Sequence, residues 1–309
     1  MNIPNKFEFM PGNGNYVAAE TAHAYDLSAC RHHAYADIDP EAPFNLNGCM
    51  SFADQEIWKR LNATLERLAA GNRKSISLLD AGCGPGTWLR RLALRARELG
   101  FERVDAFGFD ISPGMIELAR AAVSHIDDQA VSMNFMVRDI ISGHAFGNNE
   151  FDITICLYGV LNHVPAGARE LVAAELRRVT SDTLFVTVRA AGSLPTIYID
   201  SIDRATAFYQ NHEADCMEIY LKDGSYVGFT SHLFTSGELR TLFQPHLSST
   251  VLIGLDLFHS RFAASPQWNP GTLTDEEAFE TELTDLERLF ASNPHFIDRA
   301  AHILLIGDC

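Results

Sequence analysis

A glycine-rich turn at residues 78–86, with the sequence LLDAGCGPG, constrains the fold of this chain more than any other feature. An acidic residue, Asp80, ends an apolar run, and Gly82, Gly84 and Gly86 follow it at alternate positions. Glycine is needed where the backbone takes positive φ angles or approaches a ligand closely. The segment therefore predicts a buried strand, a tight turn, and a helix that begins just after the third glycine.

Strands and helices alternate on the C-terminal side of this turn. The pattern predicts strands at 76–81, 104–110, 135–138, 151–157 and 183–188, with helices at 89–99, 113–123 and 166–179 between them. Ser112 is placed as an N-cap, and Pro113 takes the first helical position. Such a rhythm is typical of an α/β fold in which helices cover both faces of a parallel sheet.

The other segments are interpreted as additions to this sheet. Residues 1–50 are expected to form an irregular N-terminal lid, followed by an amphipathic helix over 51–70. Residues 190–230 lack periodicity and are expected to form an inserted cap. Two capping boxes, Thr235 with Glu238 and Thr274 with Glu277, predict helices after the cap, and strands are predicted at 250–258 and 302–307. The predicted units are 1–70 (lid and helix), 71–190 (core), 191–231 (cap) and 232–309 (remainder of the core with a helical insertion).

Composition excludes several classes of protein. The chain has 24 Lys and Arg against 40 Asp and Glu, a formal charge of −16, so a nucleic-acid-binding face is not expected. No apolar run reaches the roughly 18 residues that span a bilayer, and the N-terminus does not resemble a signal peptide, so a cytoplasmic protein without membrane contact is expected. Six cysteines without a CxxC pair favour reduced thiols.

The pattern Asp-x-Gly-x-Gly-x-Gly resembles motif I of the class I S-adenosylmethionine-dependent methyltransferases. It differs from the dinucleotide fingerprint G-x-G-x-x-G, because Gly86 comes one position too early and Thr87 follows it. The resemblance covers the chain from about residue 75 to its end. It implies a Rossmann-like sheet of seven strands, S-adenosyl-L-methionine as cofactor, and a methyltransferase activity.

The resemblance also implies which residues bind the cofactor. Asp110, at the end of the second strand, would accept both ribose hydroxyls, and Asp139, after the third, would accept from the adenine amino group. Gly82 and Gly84 would face the methionine moiety, and Ile111 would pack on the adenine. The full predicted set is Asp80, Gly82, Cys83, Gly84, Gly86, Asp110, Ile111, Met115, Asp139, Ile140 and Leu157.

Catalytic residues are expected just past the carboxyl ends of the strands, where open α/β sheets bind their ligands. Asn162 and His163 follow the fourth strand. Arg189 ends the fifth strand and would hold a substrate carboxylate with two hydrogen bonds. Tyr16 and Tyr25 of the lid would close over the substrate.

Three histidines, His163, His232 and His302, are expected at this same edge on the family's topology. Because neutral imidazoles are good ligands, we hypothesise a divalent transition metal (zinc, iron or nickel) held by all three. In this respect the chain resembles bacterial 2-oxo acid (α-keto acid) C-methyltransferases of non-proteinogenic amino acid biosynthesis, on the histidines and the core alone. A chelated metal would stabilise the enolate for methylation at the β carbon. Acids of the cap would suit a cationic, arginine-derived substrate.

Two alternatives stay open at this point. One is metal-free N- or O-methylation of a secondary metabolite with His163 as base. The other, from a different class, is a non-catalytic S-adenosylmethionine-binding subunit, which would release no S-adenosylhomocysteine with any acceptor. A small-molecule substrate is expected because a cap favours an enclosed pocket over a groove for a polymer. The oligomeric state is left open, with a homodimer as one alternative.

Overall fold

The computed structural model describes residues 51–143, 146–193, 205–259 and 276–309, together with Ala19, Thr21, Ala22 and Tyr25. The helices within these residues are α1 (Ser51–Ala70), α2 (Thr87–Glu98), α3 (Pro113–Val123), α4 (Arg169–Val179), α5 (Ser236–Phe243) and α6 (Glu276–Phe290). The strands are β1 (Ser75–Ala81), β2 (Arg103–Asp110), β3 (Val131–Val137), β4 (Phe151–Cys156), β5 (Thr180–Arg189), β6 (Ala205–Asn211), β7 (Cys216–Leu221), β8 (Tyr226–Thr230), β9 (Ser249–Leu255) and β10 (His302–Asp308).

A seven-stranded sheet with the order β3-β2-β1-β4-β5-β10-β9 forms the centre of the protein. Strands β1 to β5 run parallel, whereas β10 is antiparallel to both β5 and β9. The expected α/β sheet of the class I methyltransferase type is therefore confirmed. Because β10 runs the opposite way, its first residue lies at the edge where the parallel strands end.

Helices cover both faces of this sheet, and each face has its own apolar core. Alternate residues of a strand point to opposite faces, so Leu78 packs with α1 and α2 while Leu79 packs with α4 and α5. Ile57, Leu61 and Leu65 of α1 are fully buried in the first of these cores. The helix that the sequence groups with the lid thus packs directly on the sheet.

Local signals at the helix termini hold where the structure describes them. The Ser112 hydroxyl accepts from the Met115 amide at 3.2 Å and so caps α3. Thr235 and Glu238 form the predicted capping box at the start of α5, with bonds of 3.2 and 2.7 Å. Thr274 of the second predicted box lies outside the described residues, so that box stays a prediction.

The cap contains a small antiparallel sheet of order β6-β7-β8, a correction to the expectation of an aperiodic segment. Its inner face carries its own apolar cluster, which includes Met217, Ile219 and Phe229. Tyr209 and Tyr220 stand on the outer face with ring centroids 6.0 Å apart. Because aromatic residues occupy both faces, the apolar alternation that marks a strand is hidden in the sequence.

The structure bears on the expected absence of membrane-spanning helices and on the expected reduced cysteines. In the described residues, no helix combines the length and the apolar character needed to cross a membrane. Cys83, Cys156, Cys216 and Cys309 are free thiols. The N-terminal lid lies almost wholly outside the described residues, and the division of the chain into four units stays a prediction.

Candidate active site

The glycine-rich turn between β1 and α2 takes the conformation that its residues predict. Gly82, Gly84 and Gly86 have φ angles of 82°, 51° and 76°, in the left-handed region that glycine adopts without strain. The amides of Gly82 and Cys83 both donate to the Phe109 carbonyl, at 2.8 and 2.9 Å. These bonds tie the turn to the end of β2.

The three glycines serve different purposes. A Cβ on Gly82 would lie 2.3 Å from a methyl group of Val160, and one on Gly86 would lie 2.9 Å from the Phe135 ring. A Cβ on Gly84 would meet no atom within 4 Å. Two glycines therefore permit close packing, whereas the third borders open space, which fits a turn that receives a ligand against its backbone.

Two carboxyl groups face this turn. Asp110 accepts from the amides of Gly84 and Ser112, both at 2.9 Å, and so lies at the carboxyl edge directly beside the turn. Asp80 is buried at the end of β1. Burial and the charge of Asp110 raise the pKa of Asp80 well above its ordinary value, and a hydrogen bond from the Leu89 amide opposes them. A glycine turn that borders open space, with the acidic side chain of Asp110 beside it, suits a ribose bearing a cationic sulfonium.

The other predicted cofactor residues lie along the same edge. Asp139 follows β3 and accepts from the Ile141 amide at 3.0 Å, which makes it the N-cap of a short 3₁₀ turn. Its contact with adenine stays a prediction. Cys83, Met115, Ile140 and Leu157 are buried, and Ile111 is half-buried.

His163 is held in one protonation state and one tautomer. Its Nδ1 lies 2.7 Å from the Thr230 carbonyl, which only accepts, so Nδ1 carries the hydrogen. Its Nε2 is left as an acceptor, and the Tyr25 hydroxyl donates to it at 2.9 Å. Burial, aided by the charge of Arg189 and opposed by the Thr230 bond, lowers the pKa of His163 to about 4. The imidazole is therefore neutral, with its lone pair on a known side.

Arg189 and His302 lie opposite each other in the β5–β10 pairing. Arg189 is buried, donates to the Ser193 hydroxyl at 3.3 Å, and lowers the pKa values of both His163 and His302. The pKa of His302 falls to about 4, mainly through burial. Its Nδ1 has no hydrogen-bond partner, and its ring packs edge-on against Tyr158 at 5.6 Å.

Asn162, predicted as catalytic, is engaged in holding the backbone together. Its side-chain amide donates to the carbonyls of Arg189, at 3.2 Å, and His232, and its oxygen accepts from the Arg189 amide at 2.9 Å. Both amide hydrogens are thus committed to buried carbonyls. The side chain joins the end of β5 to the segment that follows the cap.

His232 lies on the other face of the sheet from His302. Its ring packs edge-on against Phe234 at 4.5 Å, and Phe234 belongs to the core on the α4 and α5 side. His302 shares its face with Leu304, two residues further along β10, which belongs to the opposite core. Nδ1 of His232 lies 2.7 Å from Asp215.

The ligand atoms of His163, His232 and His302 do not come within 4.8 Å of one another as a set, so nothing here supports the predicted metal site. The described residues include all three histidines. Among their His, Cys, Asp and Glu side chains, one set of three has ligand atoms within 4.8 Å of one another, and it consists of Asp256, His259 and Glu287. Strand alternation places His302 on the α1 and α2 face, whereas His232, which belongs to no strand, follows Phe234 to the α4 and α5 face. Glu287 in turn accepts from the backbone amides of residues 257–259, so it anchors that turn.

A family model described as a methyltransferase domain matches residues 78–183, from β1 to β5. These residues are similar to a methyltransferase domain. The match spans the glycine-rich turn, Asp110, Asp139 and the segment that carries His163. No curated protein sequence matches the chain.

Solved methyltransferase structures share the general arrangement at low sequence identity. The magnesium protoporphyrin IX methyltransferase of Synechocystis PCC 6803, with bound S-adenosylhomocysteine, is 15% identical over 76% of this chain and 92% of its own, with a TM-score of 0.44. The CcbJ methyltransferase of Streptomyces caelestis is 12% identical over 80% and 87%, with a TM-score of 0.45. Phosphoethanolamine N-methyltransferase 2 of Haemonchus contortus is 14% identical over 81% and 52%, with a TM-score of 0.45. At this similarity their substrates say nothing about the substrate of this methyltransferase.

The described acids of the cap do not form a pocket for a cationic substrate. Glu213 and Asp223 are exposed at the hairpin turns, and Glu218 lies on the outer face of the small sheet beside Tyr209. Asp215 binds Arg169 and His232. Asp200, Asp203 and Tyr16 lie outside the described residues.

Sequence reasoning missed two residues that define the surroundings of His163. Thr230 supplies the carbonyl that selects the tautomer, and no side-chain pattern announces a backbone contact. Asp215 joins Arg169 to His232, and it stands in a hairpin turn with a φ of 50°. The sequence shows Asp215 only as one of several acids of the cap, because its φ angle and its partners are visible in the structure alone.

Proposed function

We propose that this methyltransferase transfers a methyl group to a hydroxyl or amine of a small molecule, with His163 as general base. The orientation of His163 carries the proposal. The Thr230 carbonyl fixes the hydrogen on Nδ1, so the Nε2 lone pair is available to a donor. The Tyr25 hydroxyl, 2.9 Å from Nε2, occupies the position that an acceptor hydroxyl would take.

S-adenosyl-L-methionine, when bound, supplies an electrophilic methyl group, and the residues present fit it. The turn around Gly84 offers open space, and the carboxylate of Asp110 lies beside that turn. The contribution of the chain itself is to hold the acceptor atom in line and to remove its proton. A positioned base of this kind contributes about 10²–10⁴-fold to the rate.

The low pKa of His163 favours a hydroxyl acceptor over other nucleophiles. A hydroxyl oxygen becomes a strong acid as it bonds to the methyl carbon, so its proton passes readily even to a weakly basic imidazole. An amine that is already neutral attacks without losing a proton first, and needs the base less. Neutrality also keeps the Nε2 lone pair available throughout the physiological pH range.

Arg189 supports an acceptor that carries an anionic group. Its buried guanidinium is close enough to His163 and His302 to lower the pKa values of both. A buried positive charge near two neutral imidazoles attracts a carboxylate or phosphate, and a planar guanidinium binds either one with two hydrogen bonds. We therefore expect a small, anionic, hydroxyl-bearing or amino-bearing acceptor.

C-methylation of a 2-oxo acid stays a prediction that nothing in the structure favours. The metal invoked for it relied on His163, His232 and His302, which do not bring their nitrogens together. A non-catalytic S-adenosylmethionine-binding subunit is disfavoured by the orientation of His163, since a bare binding module has no use for an oriented base.

The test is release of S-adenosylhomocysteine from a panel of phenols, hydroxy acids, amino acids and 2-oxo acids. We expect turnover with a hydroxy or amino acid, and a fall in kcat of at least about 100-fold in His163→Gln at unchanged S-adenosylmethionine affinity. His125→Gln, at an exposed histidine, is the matched control. Full activity of His163→Gln would refute the base. Turnover confined to 2-oxo acids and dependent on added metal would restore C-methylation, and no turnover with any compound would favour the binding subunit.

A further inference from the structure

The contacts around the cap point to a residue that acts on His163 from a distance. We propose that Asp215 is a positioning residue: through Arg169 and the segment 230–232 it holds the Thr230 carbonyl that selects the His163 tautomer. The proposal rests on the proposed role of His163 as base. It adds a device, built from the cap, that determines which imidazole nitrogen faces the acceptor.

The Thr230 carbonyl needs such support because of where it lies. Thr230 is the last residue of β8, an edge strand of the small cap sheet, where it pairs with Cys216. Edge strands and strand ends are the parts of a sheet that fray first. A shift of one ångström would lengthen the 2.7 Å bond to His163 and release its tautomer.

The residue after Thr230 is held from two sides. The Ser231 amide donates to the Asp215 carbonyl at 2.7 Å. The Ser231 carbonyl accepts from the Gln210 side chain at 2.6 Å. Ser231 is itself buried, so both bonds are shielded from water. The backbone of Asp215 thus fixes the segment immediately beyond the carbonyl in question.

The side chain of Asp215 fixes the same segment a second time. One carboxylate oxygen lies 2.7 Å from Nδ1 of His232, and the other accepts from Arg169 at 2.7 Å. The His232 amide donates to the Asn162 carbonyl at 2.8 Å. Charge-assisted bonds to both carboxylate oxygens leave the side chain little freedom to rotate.

Arg169 closes the network on the far side of His163. Its Nε donates at 3.0 Å to the carbonyl of Val164, the residue next to His163. The contacts therefore form a ring that runs from His163 through Val164, Arg169 and Asp215 to Thr230 and back. A closed ring holds the imidazole and its acceptor carbonyl in register, which a single bond at 2.7 Å would not do.

The backbone conformation of Asp215 is a further indication that its carboxylate has a role. Its φ of 50° is a left-handed conformation that glycine adopts more easily than any residue with a side chain. The residue is the last one of the turn that joins β6 to β7, where a glycine would satisfy the chain. The strain is offset by what the carboxylate binds, namely Arg169 and His232.

The experiment measures the tautomer directly, without an acceptor. Histidine labelled with ¹⁵N distinguishes Nδ1–H from Nε2–H in long-range proton–nitrogen spectra, and the His163→Gln variant assigns the signal. We expect the Nδ1–H tautomer in the wild type and at least about one fifth Nε2–H in Asp215→Asn, which keeps the shape but loses the charge. The kcat should fall about 10-fold at unchanged S-adenosylmethionine affinity.

A matched control and a second variant separate positioning from general damage. Asp223→Asn alters the corresponding acid of the other cap hairpin, which is exposed, and should leave the His163 signal unchanged. Arg169→Gln breaks the same ring without touching the strained hairpin, and should shift the tautomer as Asp215→Asn does. If Asp215→Asn does not fold, the tautomer ratio of Arg169→Gln still tests the proposal.

The outcomes separate this inference from the proposed function. A wild-type tautomer ratio in Asp215→Asn and Arg169→Gln would overturn the positioning role. A shifted ratio with a reduced kcat would support both proposals. A shifted ratio with undiminished turnover would support the positioning role and refute His163 as the base.

Discussion

The hydroxyl of Tyr25 lies 2.9 Å from Nε2 of His163, although 138 residues separate the two in the chain. The rings also meet edge-on, with centroids 5.5 Å apart. A residue assigned to the lid therefore occupies the lone pair that the proposed mechanism assigns to the acceptor. Acceptor binding must displace this hydroxyl.

Removing the hydroxyl should make acceptor binding easier. Tyr25→Phe keeps the edge-on packing but loses one hydrogen bond worth about 1 kcal/mol, so the acceptor no longer competes for Nε2. We expect the KM for the acceptor to fall about 5-fold while kcat stays within twofold, measured by S-adenosylhomocysteine release. A large loss of kcat would show instead that the hydroxyl takes part in the proton transfer.

Two residues of the glycine-rich turn, Gly84 and Gly82, should respond to alanine in opposite ways. In Gly84→Ala the new methyl group enters open space, so the free energy of unfolding should fall by only about 1 kcal/mol, while affinity for S-adenosylhomocysteine drops at least about 10-fold. In Gly82→Ala the methyl group would lie 2.3 Å from Val160, and the fold should lose about 2–3 kcal/mol.

Calorimetric titration measures the S-adenosylhomocysteine affinity of both glycine variants, and urea unfolding measures their free energy of unfolding. Wild-type affinity in a folded Gly84→Ala protein would show that Gly84 does not line the cofactor site. A Gly82→Ala protein as stable as the wild type would show that Val160 moves aside freely.

We expect substitution of Asn162 to lower the free energy of unfolding. Asn162→Asp is nearly isosteric, but it turns a carboxylate toward the carbonyls of Arg189 and His232 that the amide now serves. We expect a loss of about 3 kcal/mol in urea unfolding at pH 7.5. Asn134→Asp, at an exposed asparagine, should change stability by less than about 0.5 kcal/mol. An unchanged stability with abolished turnover would return Asn162 to a catalytic role.

Buried histidines should make the fold acid-sensitive. The pKa of His302 is about 4 in the folded chain against an ordinary value of 6.5, so between these values the unfolded chain binds a proton that the folded chain does not. The part of the free energy of unfolding that depends on neutral His302 is fully present above pH 6.5. It falls by about 3 kcal/mol as the pH drops toward 4. His163 contributes in the same direction.

Urea unfolding between pH 4 and 8 checks this dependence. His302→Phe keeps an aromatic ring against Tyr158 and cannot titrate, so its stability should vary less with pH. At pH 7.5 it should lie within about 1 kcal/mol of the wild type, because Nδ1 has no hydrogen bond to lose. The exposed His125→Gln variant should keep the wild-type slope, and an unaltered slope in His302→Phe would contradict the assignment.

Element boundaries were predictable where the signal is local. The helix over 51–70 ends as expected at Gly71, and α3 and α5 begin at the predicted caps. Strand β3 begins at Val131 instead of Phe135, because its first half is a partly exposed edge strand with a weak apolar signal. The cap sheet was missed because its aromatic residues point both ways.

The individual strands, the glycine-rich turn and the helix caps could be predicted from the amino-acid sequence, because each depends on residues close together in the chain. The seven-stranded sheet joins strands far apart in the chain and was expected only from the resemblance to the methyltransferases. Tertiary structure decided which distant side chains meet. It paired Tyr25 with His163 and Asp215 with His232, and it separated His232 from His302. Strand order alone predicts which edge of the sheet a residue reaches, but the face it occupies follows from strand alternation and from the packing of neighbouring elements.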